Sequence, residues 1–390
     1  MSEIMQLDDT YIARTYARFP VRLVEGEGSI LWDESGRRYI DLGSGIAVNT
    51  FGIADKEWQK AVTAQLGRLQ HTSNLYYTGP CAHLAEMLCQ RTGMKKVFFS
   101  NSGAEANECA IKAARKYAAA ELGAEYSTIV TLQGSFHGRT LATLAATGQD
   151  VFHRDYQPLP KGFVYAKPGD LDQLAALLKN HRCAAVMMEV VQGEGGVNVL
   201  DKEYLQKAAA LAADHGALVI VDEVQTGNGR TGRLYGYMHY GIQPDIITTA
   251  KGLGGGLPLG ATLLGEKVAD VFVPGDHGST FGGNPVCCAG AISILSRLDE
   301  QMLSRVRAKG NLVRGALEGA PGVESVTGMG LMLGVKTTRP AAKVAAECLR
   351  AGVLVLTAKD KVRLLPALNI PDQQLQDGVE ILKQVCARVD

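Results

Sequence analysis

Between about residues 80 and 265, short apolar runs alternate with segments of helical length. The intervening segments repeat apolar residues every three or four positions, which is typical of an amphipathic helix, as in Leu171–His181 and Glu203–Gly216. Strands that alternate with helices predict βαβ units and a largely parallel sheet. The runs that predict buried strands are KVFFS (Lys96–Ser100), TIVTL (Thr128–Leu132), AAVMMEVV (Ala184–Val191), ALVIVD (Ala217–Asp222) and DIITT (Asp245–Thr249).

The two ends of the chain have a different pattern. Arg22–Gly45 predicts short β-segments around turns, and the part after about residue 295 mixes helices with short apolar runs. We therefore predict an α/β fold in which residues 51–290 form one large domain. Residues 1–50 and 291–390 are expected to assemble a smaller α+β domain from both ends of the chain.

Composition narrows the class of protein. The chain has 390 residues, 46% of them hydrophobic, and a formal net charge of zero, which favours a globular protein with a large core over one that binds nucleic acid. No apolar run approaches the ~18 residues of a membrane helix. Glu3, Asp8 and Asp9 stand where a signal peptide would have its apolar core, so we predict no targeting segment and expect a cytoplasmic protein.

The cysteines and histidines indicate neither a disulfide framework nor a metal site. Eight cysteines occur without a CxxC spacing, and eight histidines occur without an HExxH pair. We expect reduced thiols and no metal.

Lys251 and Asp222 follow two of the predicted strands. Ligands of open α/β sheets bind just beyond the carboxyl ends of the strands. A lysine for a Schiff base and an aspartate that holds a pyridinium N–H are the pair that pyridoxal phosphate requires. Taken singly, Lys251 could be a solvated loop lysine, and Asp222 could be a helix cap or a metal ligand. Together, and with the glycines that follow Lys251, they favour a catalytic pair.

Three further motifs carry candidate binding residues. Ser102, Gly103 and Ala104 open a predicted helix, where free N–H groups attract phosphate, although an ordinary strand–turn–helix corner is the alternative. In SFHGRT, Phe136 can stack on a planar ring and Arg139 can bind a carboxylate, unless the motif is a surface turn. GSTFGGNP (Gly278–Pro285) offers hydroxyl groups that suit a phosphate or a tight turn at a subunit contact.

The run GLGGGLP matches the dinucleotide motif G-x-G-x-x-G only loosely. It leaves a nicotinamide-dependent oxidoreductase as an alternative function from another class.

Seven motifs in their order along the chain resemble the class III pyridoxal-phosphate aminotransferases of the ornithine and acetylornithine type. The resemblance covers essentially the whole chain and implies a fold type I homodimer with its active sites at the subunit interface. The motifs are SNSGAEANE, SFHGRT, EVVQGEGGV, VIVDEVQTGNGRTG, PDIITTAKGLGGGLP, HGSTFGGNP and VRLLPAL.

The resemblance also implies residue roles. Lys251 would hold pyridoxal 5'-phosphate covalently, and Asp222 would hold its pyridine nitrogen. The substrate-binding residues would be Arg139 for the α-carboxylate, Glu194 and Arg363 as the family's gate pair, and Ser279. The other implied cofactor contacts are Phe136 and Val224 on the ring, Gln225 near its phenolic oxygen, Ser102, Gly103 and Ala104 on the phosphate, and Thr280 from the neighbouring subunit.

The implied activity is a ping-pong transamination in arginine biosynthesis. The 5-amino group of N2-acetylornithine would pass to 2-oxoglutarate, giving N-acetylglutamate 5-semialdehyde and glutamate. An apolar Ile46, where ornithine-specific members tend to have tyrosine, suits an acylated α-amine. Succinylornithine, ornithine, acetyl-lysine and 4-aminobutyrate remain alternative amino donors, as does an aminomutase that uses no 2-oxoglutarate.

Two short segments depart from the family pattern. Glu189-Val190 stands where Glu-Pro is usual, and Gly52–Lys56 replaces the common Gly-His-x-His-Pro. Neither segment contains an implied cofactor contact, but the second departure leaves the conformation of the loop Gly52–Lys56 unpredicted.

Overall fold

A seven-stranded sheet lies at the centre of the chain in the computed structural model, which describes residues 3–388. Its strand order is β4-β12-β11-β10-β7-β5-β6, and every neighbouring pair from β11 to β6 is parallel, whereas β12 runs antiparallel to both of its neighbours. The prediction of a mostly parallel sheet is confirmed. The sheet's strands are β4 (Lys96–Ser100), β5 (Thr128–Leu132), β6 (Phe163–Ala166), β7 (Cys183–Met188), β10 (Leu218–Asp222), β11 (Ile246–Thr249) and β12 (Gly260–Leu264).

The central strands are apolar on both faces because helices cover both sides of the sheet. Every residue of β7 and β10 is buried, which explains their unbroken apolar runs. The run AAVMMEVV is divided in the structure: β7 ends at Met188, and β8 (Val191–Gln192) pairs instead with β9 (Asn198–Val199). Between them, the carboxylate of Glu189 accepts hydrogen bonds from the backbone N–H of Phe136 (2.9 Å) and of Gly193 (3.2 Å).

The helices connect these strands and pack around them. Several begin at a side-chain cap; for example, Asp170 accepts from the N–H of Gln173 and Asp201 from that of Tyr204. Three-residue or four-residue 3-10 helices occur at Asp150–Phe152, Gly236–His239, Lys251–Leu253 and Glu266–Val268. The helices are α1 (Glu3–Tyr11), α2 (Ser44–Ala47), α3 (Lys56–Leu66), α4 (Gly79–Thr92), α5 (Gly103–Glu121), α6 (Leu141–Ala146), α7 (Leu171–Asn180), α8 (Lys202–Asp214), α9 (Pro285–Leu295), α10 (Glu300–Leu317), α11 (Ala341–Arg350) and α12 (Asp372–Cys386).

Two four-stranded sheets lie in the terminal parts of the chain, and one of them joins both ends. Its order is β1-β2-β3-β15, with β15 parallel to β3, so a C-terminal strand extends an N-terminal hairpin. The other has the order β13-β14-β17-β16. This pairing supports a small domain from both ends, and its boundaries at residues 50 and 290 stay a prediction. The strands are β1 (Leu23–Glu27), β2 (Ile30–Asp33), β3 (Arg38–Asp41), β13 (Val323–Met329), β14 (Met332–Thr337), β15 (Val353–Leu354), β16 (Leu356–Ala358) and β17 (Lys361–Leu364).

α2 is a single left-handed turn. All four of its residues have positive φ angles, of 42° at Ser44, 64° at Gly45 and Ile46, and 61° at Ala47. Such a conformation costs about 1–2 kcal/mol for each residue with a Cβ, so other contacts must hold it. Asp41 Oδ1 accepts from the N–H of Gly43 (2.8 Å) and of Ser44 (2.9 Å), and the Ser44 hydroxyl donates to Leu365 O (2.5 Å).

The loop Gly52–Lys56 is ordered by residues other than the family's histidines. Asp55 caps α3 by accepting from the N–H of Trp58 (2.9 Å), and it pairs with Arg297 at 2.8 Å. Among residues 3–388, none of the helices is both long and apolar enough to cross a membrane. All eight cysteines are free thiols.

Candidate active site

A cavity of about 440 Å³ lies at the carboxyl ends of the parallel strands, beside the start of α5. The chain brings ten of the sequence-predicted residues to this one place, although they span 150 positions of the sequence. They are Ser102, Gly103, Ala104, Phe136, Arg139, Glu194, Asp222, Val224, Gln225 and Lys251.

Lys251 follows β11 directly and has a positive φ of 45°. The side chain of Asn228 fixes the end of the strand by donating to Thr249 Oγ1 (3.0 Å) and to Ala250 O (3.1 Å). Beyond Lys251, Thr50 donates to Gly252 O (2.8 Å). These contacts hold the backbone on both sides of Lys251, whose positive φ is uncommon for a residue with a Cβ, and Lys251 lines the cavity.

Several neighbouring groups act on the pKa of the Lys251 amine. Burial lowers the pKa of Lys251 below its ordinary value of 10.5, and the charge of Arg363 adds to this shift. Glu194 and Asp222 oppose it. A neutral amine is the form that attacks a carbonyl carbon or removes a proton.

Asp222 is buried and is held by three donors. Its Oδ1 accepts from the N–H of Val224 (2.9 Å), and its Oδ2 accepts from Asn107 Nδ2 (2.8 Å) and lies 2.8 Å from His137 Nδ1. Thr248 in turn donates to Asn107 Oδ1 (2.7 Å). The carboxylate therefore keeps a fixed orientation in the cavity wall.

His137 and Asn107 were not among the sequence-predicted site residues. His137 lies in the motif SFHGRT with Phe136, and Asn107 lies in SNSGAEANE with Ser102. Their presence in these motifs is the sequence feature that could have identified them as site residues. His137 Nε2 is buried and has no hydrogen-bond partner within residues 3–388.

The start of α5 forms a close cradle on the cavity. Ser102 is the N-cap and accepts a hydrogen bond from the N–H of Glu105 (3.2 Å). The N–H groups at the start of a helix have no acceptor inside the helix, so they are available to a ligand in the cavity. A Cβ on Gly103 would lie 2.6 Å from Val224 Cγ1, and one on Gly138 would lie 2.8 Å from Ala104 Cβ. Both glycines are therefore required by the close approach of their loops.

Glu194 and Arg363 form an ion pair at the edge of the cavity. Arg363 Nη1 lies 2.6 Å from Glu194 Oε1, and Gln225 bridges them by accepting from Arg363 (3.1 Å) and donating to Glu194 (3.2 Å). Arg363 is only 3% exposed, against 30% for Glu194. Burial alone would raise the pKa of Glu194, but the neighbouring Arg363 outweighs burial and holds that pKa below 4.5.

Glu189 is a buried carboxyl group that sequence reasoning treated only as a departure from the family pattern. Burial raises the pKa of Glu189 to about 7; His137 opposes this shift and Asp222 adds to it. Through its bonds to the N–H groups of Phe136 and Gly193, it ties together the two loops that carry Phe136 and Glu194.

Three predicted residues and Ile46 lie outside this cavity in the single chain. Arg363 reaches it only through Glu194 and Gln225, Thr280 is exposed, and Ser279 accepts a hydrogen bond from Asn101 Nδ2 (3.2 Å). Ile46 is 41% exposed, and Val48 is the residue of that segment which lines the cavity. The geometry of one chain gives no support to the selection of an acyl group by Ile46.

The glycines after Lys251 do not form a dinucleotide-binding turn. Such a motif opens a helix, whereas here only a 3-10 turn, Lys251–Leu253, precedes β12. A Cβ on Gly254 would lie 2.1 Å from Leu257 O, so this glycine serves a tight turn in the cavity wall.

The residues present fit pyridoxal phosphate. A helix N-terminus with a hydroxyl group suits its phosphate, a valine and a phenylalanine offer apolar contact for its ring, and a buried carboxylate suits its ring nitrogen. The lysine provides the amine for covalent attachment.

Comparison with known proteins gives the same assignment. The family model of class III aminotransferases matches residues 11–386. The chain is 51% identical to acetylornithine aminotransferase of Haemophilus ducreyi, over 99% of both proteins. It is 44% identical to succinylornithine transaminase of Salmonella paratyphi A, over 98% of this chain and 96% of that protein.

A solved structure has the same fold. Ornithine aminotransferase of Toxoplasma gondii, whose active site holds PLP at partial occupancy, superposes with a TM-score of 0.93 at 31% identity, covering 98% of this chain and 94% of that chain. The chain belongs to the class III aminotransferases, and its cofactor is pyridoxal 5'-phosphate.

Proposed function

We propose that this enzyme transfers the 5-amino group of N2-acetylornithine to 2-oxoglutarate, giving N-acetylglutamate 5-semialdehyde and glutamate. The main support for this proposal is that one cavity is lined by Lys251, Asp222, Arg139 and Glu194, and that Glu194 forms an ion pair with Arg363. The similarity to the Haemophilus ducreyi enzyme supports acetylornithine as the donor.

In this proposal Lys251 is the proton carrier. Pyridoxal phosphate, when bound, supplies an electron sink for the carbon that bears the amine. Nζ of Lys251 removes the proton from Cδ of the donor and returns one to Cα of the product glutamate. Asp222 holds the ring nitrogen, and Asn107 and His137 keep its carboxylate oriented.

The remaining site residues bind and orient the ring, the phosphate and the substrates. Arg139 binds the carboxylate far from the reacting carbon, and Ser279 is a further substrate contact. The cofactor contacts are Phe136 and Val224 on the ring, Gln225 near its phenolic oxygen, Ser102, Gly103 and Ala104 on the phosphate, and Thr280 of a second copy of the chain.

The Glu194–Arg363 pair allows one site to accept two unlike donors. Acetylornithine presents its δ-carbon and places no carboxylate near Arg363, whereas glutamate presents its α-carbon with a carboxylate beside it. A buried, unpaired arginine against the methylene groups of acetylornithine would be costly. Glu194 neutralises Arg363 in the first case, and the α-carboxylate of glutamate replaces Glu194 in the second.

We further propose a homodimer with shared active sites, which acts in the cytoplasm. Leu75, Tyr76 and Tyr77 are 87%, 71% and 107% exposed, and Phe281 is 60% exposed. An apolar cavity of about 510 Å³, lined by Phe281 and Leu257 among others, adjoins the active-site cavity. A second copy that covers this surface would bring its Thr280 towards the phosphate-binding residues. Eight free thiols suit a reducing compartment.

The decisive test is a donor panel. Purified enzyme loaded with pyridoxal phosphate is given 2-oxoglutarate and each of N2-acetylornithine, succinylornithine, ornithine, acetyl-lysine and 4-aminobutyrate, and kcat/KM is measured from released glutamate. We expect acetylornithine to give the highest value. Absence of glutamate with every donor would overturn the proposal, and isomerisation without 2-oxoglutarate would identify an aminomutase.

Succinylornithine is the second candidate donor, because the Salmonella paratyphi A relative is 44% identical over nearly its whole length. It differs from acetylornithine only in the acyl group, far from the reacting carbon. The same panel distinguishes the two donors.

A further inference from the structure

The guanidinium of Arg139 packs against two phenylalanine rings. Its Cζ is 4.2 Å from the ring centroid of Phe152 and 5.5 Å from that of Phe136. The two rings meet edge to face, with centroids 5.9 Å apart and an angle of 75° between their planes. Phe152, the nearer ring, belongs to none of the motifs recognised in the sequence.

Phe152 is held in place by a series of hydrogen bonds between two loops. The N–H of Phe152 donates to Gln149 O (3.0 Å), and the buried side chain of Gln149 donates to Ser135 O (3.0 Å). Next to these, the N–H of Gly148 donates to Ser135 Oγ (3.0 Å). The segment that ends in Phe152 is thus fixed to the segment that begins SFHGRT.

The same connection continues on both sides. The N–H of Gly134 donates to Gly148 O (2.7 Å), and the N–H of His137 donates to Thr147 Oγ1 (2.9 Å). Since His137 also contacts Asp222, these hydrogen bonds connect the segment of Phe152 to the wall of the cavity.

The ring contacts suit an arginine that must remain available to a ligand. Arg139 is exposed, and among the described residues 3–388 it forms no ion pair. A free arginine side chain populates many rotamers, and this conformational freedom is lost when a carboxylate binds. Cation–π contact restricts the guanidinium while using none of its five N–H donors.

We propose that Phe152 is a positioning residue for substrate recognition: it holds Arg139 ready for the carboxylate that lies far from the reacting carbon. It would thereby set the preference for ω-amino donors that also carry an α-carboxylate. This inference rests on the proposed function, because that function assigns the distal carboxylate to Arg139.

The test compares two donors that differ only in the carboxylate. N2-acetylornithine is compared with N-acetyl-1,4-diaminobutane, which has the same amine and acyl group. In Phe152→Leu we expect KM for acetylornithine to rise by at least about twofold and by up to about thirtyfold, the range that lost cation–π contacts at exposed and at desolvated sites correspond to, with kcat changed less than twofold. For N-acetyl-1,4-diaminobutane, kcat/KM should stay within twofold of the wild-type value. If this compound is not turned over, its inhibition constant is measured instead and should also stay within twofold.

A binding measurement gives the same answer without turnover. The dissociation constant of glutarate, a dicarboxylate that cannot react, is measured by calorimetry on the holoenzyme and should rise by a similar factor in Phe152→Leu. Phe152→Tyr keeps the ring and should bind glutarate as wild type does. Phe152→Met serves in place of the leucine variant if that variant melts early.

Phe163→Leu is the matched control, since Phe163 makes a comparable contact with Arg115 (5.0 Å) away from the cavity. It should change neither donor. In the background of Arg139→Leu, Phe152→Leu should have no further effect on glutarate binding.

The inference would be overturned if Phe152→Leu weakened the use of both donors equally or left the dissociation constant of glutarate unchanged. It would also be overturned if Phe152→Leu had its full effect on glutarate binding in the Arg139→Leu background. Failure of the proposed function is seen separately, as a wild-type enzyme that does not use acetylornithine. The glutarate measurement still decides the role of Phe152 in that case.

Discussion

The amine of Lys251 is held between opposite electrostatic influences. Burial and Arg363 lower its pKa, whereas Glu194, Asp222 and Glu189 raise it. In the cofactor-free enzyme, burial of the protonated amine lowers the free energy of unfolding by its full amount at pH values below the folded-state pKa of Lys251. That cost disappears as the pH rises to 10.5, the ordinary value.

We predict that Lys251 of the cofactor-free enzyme is acylated with a midpoint below pH 10.5. Glu194→Gln should lower the midpoint further, because it removes a charge that raises the pKa. The measurement is competitive labelling with acetic anhydride across pH, followed by mass spectrometry of the Lys251 peptide. Glu318→Gln, remote from the cavity, should leave the midpoint unchanged, and a wild-type midpoint at or above 10.5 would contradict the prediction.

The Glu194–Arg363 pair is expected to act differently on the two half-reactions. Glu194→Ala leaves Arg363 buried without its partner, so the acetylornithine half-reaction should slow by about tenfold or more while the glutamate half is spared. Arg363→Ala should have the opposite effect and slow mainly the other half-reaction, in which 2-oxoglutarate is converted to glutamate. Stopped-flow absorbance of the cofactor follows each half-reaction separately. Equal losses in both halves for both variants would leave a purely structural ion pair.

At the scale of elements, α5 begins at the point where the cofactor phosphate is expected to bind. Ser102 both caps this helix and lines the cavity, so its hydroxyl has two functions that a substitution removes together.

We predict that Ser102→Ala lowers the free energy of unfolding by about 1 kcal/mol and also weakens pyridoxal phosphate binding. Asp299→Ala is the control, since Asp299 caps α10 by accepting from the N–H of Met302 (2.8 Å) outside the cavity. The control should lose similar stability and keep its affinity. Chemical denaturation and equilibrium titration of the cofactor measure the two effects, and equal affinities in both variants would refute a phosphate role for Ser102.

At the scale of the whole molecule, Arg230 joins parts of the chain that are distant in sequence. It is 3% exposed, and its Nη1 donates to Leu331 O (3.0 Å) and to Pro366 O. Burial lowers the pKa of Arg230 to about 9, and the charge of Asp41 opposes this shift. Burial in turn raises the pKa of the Asp41 carboxyl group, and its hydrogen bonds from Gly43 and Ser44 oppose that shift.

Arg230→Met should lower the free energy of unfolding by about 3 kcal/mol, because it leaves two carbonyl groups in the interior without their hydrogen-bond donor. Thermal and denaturant unfolding measure the loss. Arg305→Met, at an exposed position of α10, should change stability by less than about 0.5 kcal/mol. A comparable stability of the two variants would show that Arg230 is not required.

The exposed apolar surface at Phe281 gives a prediction about assembly. Phe281→Asp should convert the proposed dimer into monomers and abolish most activity, because a charge would be buried between copies and Thr280 would no longer reach the second site. Light scattering and glutamate release measure both effects. Leu312→Asp, on α10, should leave both unchanged. A fully active monomer would argue against shared sites.

Much of the fold and of the candidate site could be predicted from the sequence because the signals are local. The runs of β4 and β5 were predicted to the residue, since each is a short apolar run bounded by turn or polar residues. The motifs around Ser102, Phe136, Asp222 and Lys251 follow such strands, so their convergence at one edge of the sheet follows from the parallel order.

Other features required the tertiary structure, because they depend on contacts between distant segments. The left-handed turn of α2 is stable only through Asp41 and Leu365, and the orientation of Asp222 depends on Asn107, 115 positions away. Phe152 occupies an unremarkable place in the sequence and reaches Arg139 only because the loops at Ser135 and Gln149 are bonded together. The sequence by itself determined which residues carry the chemistry, since periodicity and motif order are written along the chain. Only the tertiary structure decided which side chains hold those residues in position, because hydrogen bonds and ring contacts form between surfaces that no local pattern brings together.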